Sequence, residues 1–121
     1  LVPRALYADP RVRQDAGRLA LMRGPLVYCT EAVDNGAGLN ALSVTVDPAL
    51  ARESRLAELG EAVAIDLPAS RDVSTGFDGA LYREAPPASE PATARFVPYH
   101  LWDNRAPGEM LVWMRGGKTG A

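Results

Sequence analysis

The chain has 121 residues, a size that fits one ordinary domain. Hydrophobic residues make up 47%, charged residues 23%, and the net charge is −2, which excludes disorder, fibrous repeats and a nucleic-acid or anionic-membrane surface. No apolar run exceeds five residues, so no segment reads as a membrane-spanning helix. No signal peptide is visible and the first residue is not methionine, so the chain reads as an excised piece, with the cytoplasm favoured as its compartment. Arginine outnumbers lysine 12 to 1 and alanine occurs 20 times, a bias that reads as the codon usage of a GC-rich genome.

Leu1 to Ala8 is a short apolar segment closed by the turn signal Asp9-Pro10. Leu19 to Met22 and Leu26 to Cys29 are two apolar strand pieces. The Gly24-Pro25 pair between them predicts a kink or bulge, because proline cannot donate to a central ladder. Leu42, Val44 and Val46 alternate with Ser43 and Thr45, the period of a half-buried strand. Asp47-Pro48 then offers a helix cap and Gly60 a helix stop, so Ala49 to Leu59 predicts one short helix or helical turn.

Val63, Ile65 and Leu67 alternate again as a strand, and Pro68 to Gly79 reads as loop. Ala80 to Arg83 reads as a brief strand, and Ala85 to Pro91 as a break in all regularity. Thr93, Arg95 and Val97 alternate against Ala94 and Phe96 in a strand that stops at Pro98, and Met110 to Met114 forms the last strand. The tail from Gly116 to Ala121 predicts a frayed end. About seven short strands with one helical turn predict an all-β fold, an antiparallel jelly-roll-like β-sandwich, with a partly open barrel as the alternative.

Few residues point to chemistry. One His and one Cys, 71 positions apart, do not make a zinc site. Cys29 lies in an apolar run and reads as a small buried hydrophobe. His100 stands between aromatic residues as a packing or surface histidine, with contact to a sugar or a subunit as the sharper reading. Gly116-Gly117-Lys118-Thr119 holds the letters of a phosphate-binding loop without its spaced glycine or its following helix. Glu31 and Glu109 each read as partners of an arginine at a strand end, Arg23 or Arg105, rather than as an acid or base. Tyr99, Trp102 and Trp113 are candidates for stacking on a sugar face, weighed against core packing by the same residues.

Two stretches are more specific. The first runs from Asp9 through Gly17-Arg18-Leu19-Ala20-Leu21-Met22-Arg23-Gly24-Pro25-Leu26-Val27-Tyr28-Cys29-Thr30-Glu31. The second runs Pro98-Tyr99-His100-Leu101-Trp102-Asp103-Asn104-Arg105-Ala106-Pro107-Gly108-Glu109-Met110-Leu111-Val112-Trp113. Together they resemble the C-terminal region of the beta-L-arabinofuranosidase family, glycoside hydrolase family 127, whose members carry GR-ALxRGPLVYCxE and PYxxWxNRGPGEMxVW. The likeness spans nearly the whole chain, with Leu42 to Ala92 as its variable middle. Thr30, Asp103 and Ala106 are small departures from the pattern.

The resemblance implies a non-catalytic C-terminal domain, residues 1–121, supporting a catalytic (α/α)6 barrel of the same protein, in a possible homodimer. The family's zinc-bound cysteine nucleophile and its glutamate acid/base belong to that upstream barrel. No catalytic residue, zinc ligand or other cofactor site is therefore carried onto this chain, and Cys29 does not match the zinc-cysteine motif. Gly24, Pro25, Asn104, Arg105, Gly108 and Glu109 read as scaffold, with Arg105 and Glu109 expected to brace one turn and Trp102 and Trp113 to fill a core or interface. The runner-up is a module that binds arabinose-containing glycan through Tyr99, Trp102 and Trp113.

Overall fold

The computed structural model describes residues 2–47 and 49–117. Its strands are β1 (Pro3–Tyr7), β2 (Arg18–Arg23), β3 (Leu26–Glu31), β4 (Leu42–Thr45), β5 (Arg52–Leu56), β6 (Ala62–Val73), β7 (Ala88–Pro98), β8 (Met110–Leu111) and β9 (Met114–Gly117). One α-helical turn, α1 (Ala32–Asn35), follows β3, and 3₁₀ turns occupy Leu39–Ala41, Ala57–Leu59 and Tyr99–Leu101. The chain is all-β with one short helix. Lys118 to Ala121, the outer part of the expected frayed tail, lie outside the described residues, whereas Gly116 and Gly117 belong to β9.

The sheet does not form the expected jelly-roll-like sandwich. Strands β2, β9, β4, β6, β7 and β3 pair in that order, and β3 pairs back onto β2, so six strands close into a barrel. Closure rests on two short pairings along β2. Met22 and Arg23 face Val27 and Leu26 of β3, while Arg18 and Leu19 face Arg115 and Met114 of β9. Strand β9 fills the gap by running antiparallel to β2 and parallel to β4. A sandwich would leave free edges on β2 and β4, and closure removes them.

Gly24 and Pro25 make a two-residue reversal rather than a kink. Arg23 pairs with Leu26 across it, Gly24 takes φ 59°, and Arg4 Nη1 donates to the Gly24 carbonyl at 2.9 Å. Glycine meets the left-handed angle without a Cβ penalty, and proline supplies the next fixed φ.

The stretch Ala49 to Leu59, expected to hold a short helix or helical turn, is strand from Arg52 to Leu56, and the helical turn is confined to the 3₁₀ turn Ala57–Leu59 before Gly60. Strand β5 pairs with β6 from Arg52↔Asp66 to Leu56↔Ala62. Of its five residues only Leu56 is buried, so a helix here would have had no apolar face to bury. The expected loop from Pro68 is also corrected, since β6 continues to Val73 and its pairing with β7 reaches Val73↔Ala88. Pro68 is tolerated because it falls between the β5 pairing, which ends at Asp66, and the β4 pairing, which starts at Ala69. Ala80 to Arg83 is not a strand but part of the loop joining β6 to β7. The expected strand Met110 to Met114 breaks at Val112-Trp113, where the chain leaves the side of β3 and enters the barrel wall.

Two cores result. Leu19, Leu21, Tyr28, Leu42, Val44, Ile65, Leu67, Phe96 and Met114 fill the barrel. Cys29, Leu56, Leu59, Ala64 and Val97 form a smaller cluster on the outer face of β3, β6 and β7, with Leu101, Met110 and Val112 packed against it. Burial on both faces explains why Tyr28 to Glu31 and Phe96 to Pro98 are buried without alternation.

Candidate functional site

The two motif stretches meet at the end of β3. Glu31 closes that strand, Asp34 lies on α1, and Arg105 reaches both from the loop before β8. Arg105 Nη2 donates to Glu31 Oε2 at 2.9 Å and to Asp34 Oδ2 at 2.6 Å, while Nη1 donates to Asp34 Oδ1 at 2.6 Å. All three side chains are largely buried, with Arg105 at 13%, Glu31 at 5% and Asp34 at 8% exposure. The fork of an arginine suits this task because one planar group serves two carboxylates. Its hydrogen bonds to Asp34, then to Glu31, raise the Arg105 pKa and hold the guanidinium charged.

The same loop is tied down along its length. The Asp103 backbone N–H donates to Glu31 Oε1 at 3.1 Å, and Asn104 Nδ2 donates to the Leu101 carbonyl at 2.8 Å. A Cβ on Gly108 would lie 3.1 Å from that of Ala32. Arg105 and Glu109 each brace the turn, through separate partners. Arg105 holds Glu31 and Asp34, whereas Glu109 accepts from the Gly38 N–H at 2.6 Å and its carbonyl accepts from the Ala32 N–H at 2.9 Å. Of the alternatives for Glu31, Arg105 is the partner; Arg23 pairs with Glu53 at 2.8 Å.

Asn35 and Arg71 extend this knot, and neither was apparent in the sequence. Asn35 Nδ2 donates to the Arg95 carbonyl at 3.0 Å and Oδ1 accepts from the Arg95 N–H at 2.8 Å. Its carboxamide thereby pairs with β7 as a neighbouring peptide would. Arg71 Nη1 donates to the carbonyls of Ala37 and Gly38, and Nη2 donates to that of Asn35.

Cys29 is fully buried in the outer cluster. Desolvation, followed by the carboxylates Glu31 and Asp34, pushes its thiol up to about 12. The thiolate that a nucleophile or a zinc ligand must supply is therefore disfavoured. Among the described residues no three of His, Cys, Asp and Glu converge on a metal position. His100 is exposed on the 3₁₀ turn and lines a shallow cavity with Arg23, Tyr28, Leu59 and Leu101.

The three candidate aromatic residues separate. Tyr99, 43% exposed, and the half-buried Trp113 line one open groove of about 380 Å³, together with Gln14, Asp15, Arg18 and Asn40. Arg18 Nη1 donates to the Trp113 carbonyl at 3.3 Å and to Asn40 Oδ1 at 3.4 Å. Trp102, 40% exposed, does not line that groove. The expectation that these residues pack the core is corrected, because Val112-Trp113 bends at the barrel rim and Trp102 follows an exposed 3₁₀ turn. Arg18 belongs to the first motif stretch, but nothing in that stretch tied it to Trp113, and Asn40 lies outside both stretches; their spatial approach reveals the groove.

Residues 3–115 match the glycoside hydrolase family 127 C-terminal domain. A curated relative, the non-reducing end beta-L-arabinofuranosidase of Bifidobacterium longum subsp. longum, is 50% identical over 115 residues, which cover 89% of this chain and 17% of that protein. The crystal structure of a GH127 beta-L-arabinofuranosidase from Geobacillus stearothermophilus T6 superposes with a TM-score of 0.86 at 38% identity, over 95% of this chain and 18% of that one. A GH127 beta-arabinofuranosidase structure at 27% identity gives a TM-score of 0.75, over 96% of this chain and 17% of that one. The chain thus spans about one sixth of the relatives it matches. It belongs to glycoside hydrolase family 127 and corresponds to the C-terminal domain of its beta-L-arabinofuranosidases.

Proposed function

We propose that residues 1–121 are a non-catalytic C-terminal domain of a larger beta-L-arabinofuranosidase-like hydrolase, and that their task is to support its catalytic barrel. The observation that carries this reading is the fate of the motif residues. Glu31 and Asp34 are both tied to Arg105 in a buried knot, and Cys29 is held as a thiol. Groups spent in this way fix the shape of a surface and are not available for proton transfer or attack. In this reading the zinc and the nucleophile reside in the (α/α)6 barrel of the same polypeptide, which is the domain's partner, and the whole protein is a possible homodimer.

The full chain incubated with an aryl beta-L-arabinofuranoside and zinc is expected to give no turnover. Hydrolysis by the purified chain, abolished by a Glu31 or Cys29 substitution that leaves it folded, would overturn the proposal. A second reading, a contact surface for arabinose-containing glycan, is supported at Tyr99 and Trp113 because both line a groove and neither belongs to the buried core. Trp102 has exposure in its favour but stands apart from that groove.

A further inference from the structure

We propose that the groove beside Trp113 is a subsite for one unit of a neutral saccharide, with Tyr99 and Trp113 as its stacking platform and Arg18 and Asn40 as its hydrogen-bonding edge. This inference rests on the glycan-contact reading and adds to it the residues that would select the ligand. A sugar ring has an apolar C–H face and a rim of hydroxyls, so a receptor needs a flat apolar wall beside a polar one. The groove has both. Its two rings come from the turn after β7 and the bend before β9, and its polar side comes from β2 and the 3₁₀ turn at Leu39–Ala41.

The two walls are mechanically joined. Arg18 pairs with Arg115 across β2 and β9, and its Nη1 also donates to the Trp113 carbonyl and to Asn40 Oδ1. Those bonds hold the guanidinium at the Trp113 backbone while leaving its other N–H donors for a ligand oxygen. A site whose groups are already held loses less freedom on binding. The charge of Arg18 is matched by Asp15 in the same lining, so the groove favours hydroxyls over a carboxylate or sulfate.

The experiment is a proton–nitrogen NMR titration of the full chain with neutral arabino-oligosaccharides, read at the two indole N–H signals. The Trp113 indole signal is expected to shift saturably and the Trp102 signal to stay in place. Asn40→Ala and Arg18→Gln are expected to weaken binding about tenfold each, the size of one net hydrogen bond, with an otherwise unchanged spectrum. Saturable binding that neither variant weakens would overturn the polar edge and leave the stacking reading standing. A Trp113 signal that no neutral oligosaccharide moves would overturn both. Oligogalacturonate binding as tightly as the neutral sugar would overturn the selection for an uncharged ligand.

Discussion

The guanidinium of Arg105 is the one cation between Glu31 and Asp34, and its removal would strand two buried carboxylates. Breaking a buried pair in this way costs about 3–5 kcal/mol, whereas an exposed pair such as Arg11–Asp9 contributes little. Arg105→Ala is therefore expected to lower the urea midpoint severely, and Arg105→Lys less so, since it keeps the charge but loses the fork. Asn35→Ala leaves the Arg95 N–H and carbonyl without their side-chain partner, at an expected cost of about 1–3 kcal/mol by chemical denaturation. Cys29 gives a pH signature. Its thiol moves from 9.0 to about 12 on folding, so the stability it contributes is present below pH 9.0 and is lost as pH rises toward 12. Melting curves taken through that alkaline window should fall more steeply for this protein than for Cys29→Ala. That Glu31 pairs with an arginine was legible in the sequence because buried carboxylates need a cation, but the choice of Arg105 over Arg23 was not. The Asn35 carboxamide acting as a strand was not, because one amide substituting for a peptide leaves no periodic trace.

At the level of elements, alternation identified the strands at Leu42–Thr45, Ile65–Leu67 and Thr93–Phe96, where buried residues alternate with less buried ones. It failed where both faces or neither face is covered. Strand β5 is almost wholly exposed and holds its place by backbone pairing with β6, so its helix-forming composition misled. The turn after it ends with Gly60 at φ 66° and Glu61 at φ 64°. Glycine occupies this region freely, while glutamate is strained there. Glu61→Gly is expected to stabilise the protein by about 0.5–1 kcal/mol, seen as a higher melting temperature. The groove was half legible. Its rings stood out by residue type, but Arg18 and Asn40 lie 95 and 73 positions from Trp113 and meet it only through the barrel.

For the whole molecule, the decisive step is the insertion of β9 between β2 and β4. Gly116 makes that insertion possible, since a Cβ there would overlap Leu19 Cδ2 inside the barrel. Gly116→Val is expected to cost about 1–3 kcal/mol through overpacking. Truncation after Trp113 is expected to open the barrel, read as dye binding to exposed apolar surface and loss of near-ultraviolet circular dichroism. The opened form would expose the strand edges of β2 and β4 that β9 now covers. The same dependence sets an order of events during synthesis. Strands β2 and β4 emerge from the ribosome before β9, and must wait with unpaired backbone groups until β9 has been made. Pairings of such long sequence separation form slowly. The nascent domain is thus most open to mispairing with its neighbours just before β9 arrives, and slowed translation near that point would lengthen the exposure.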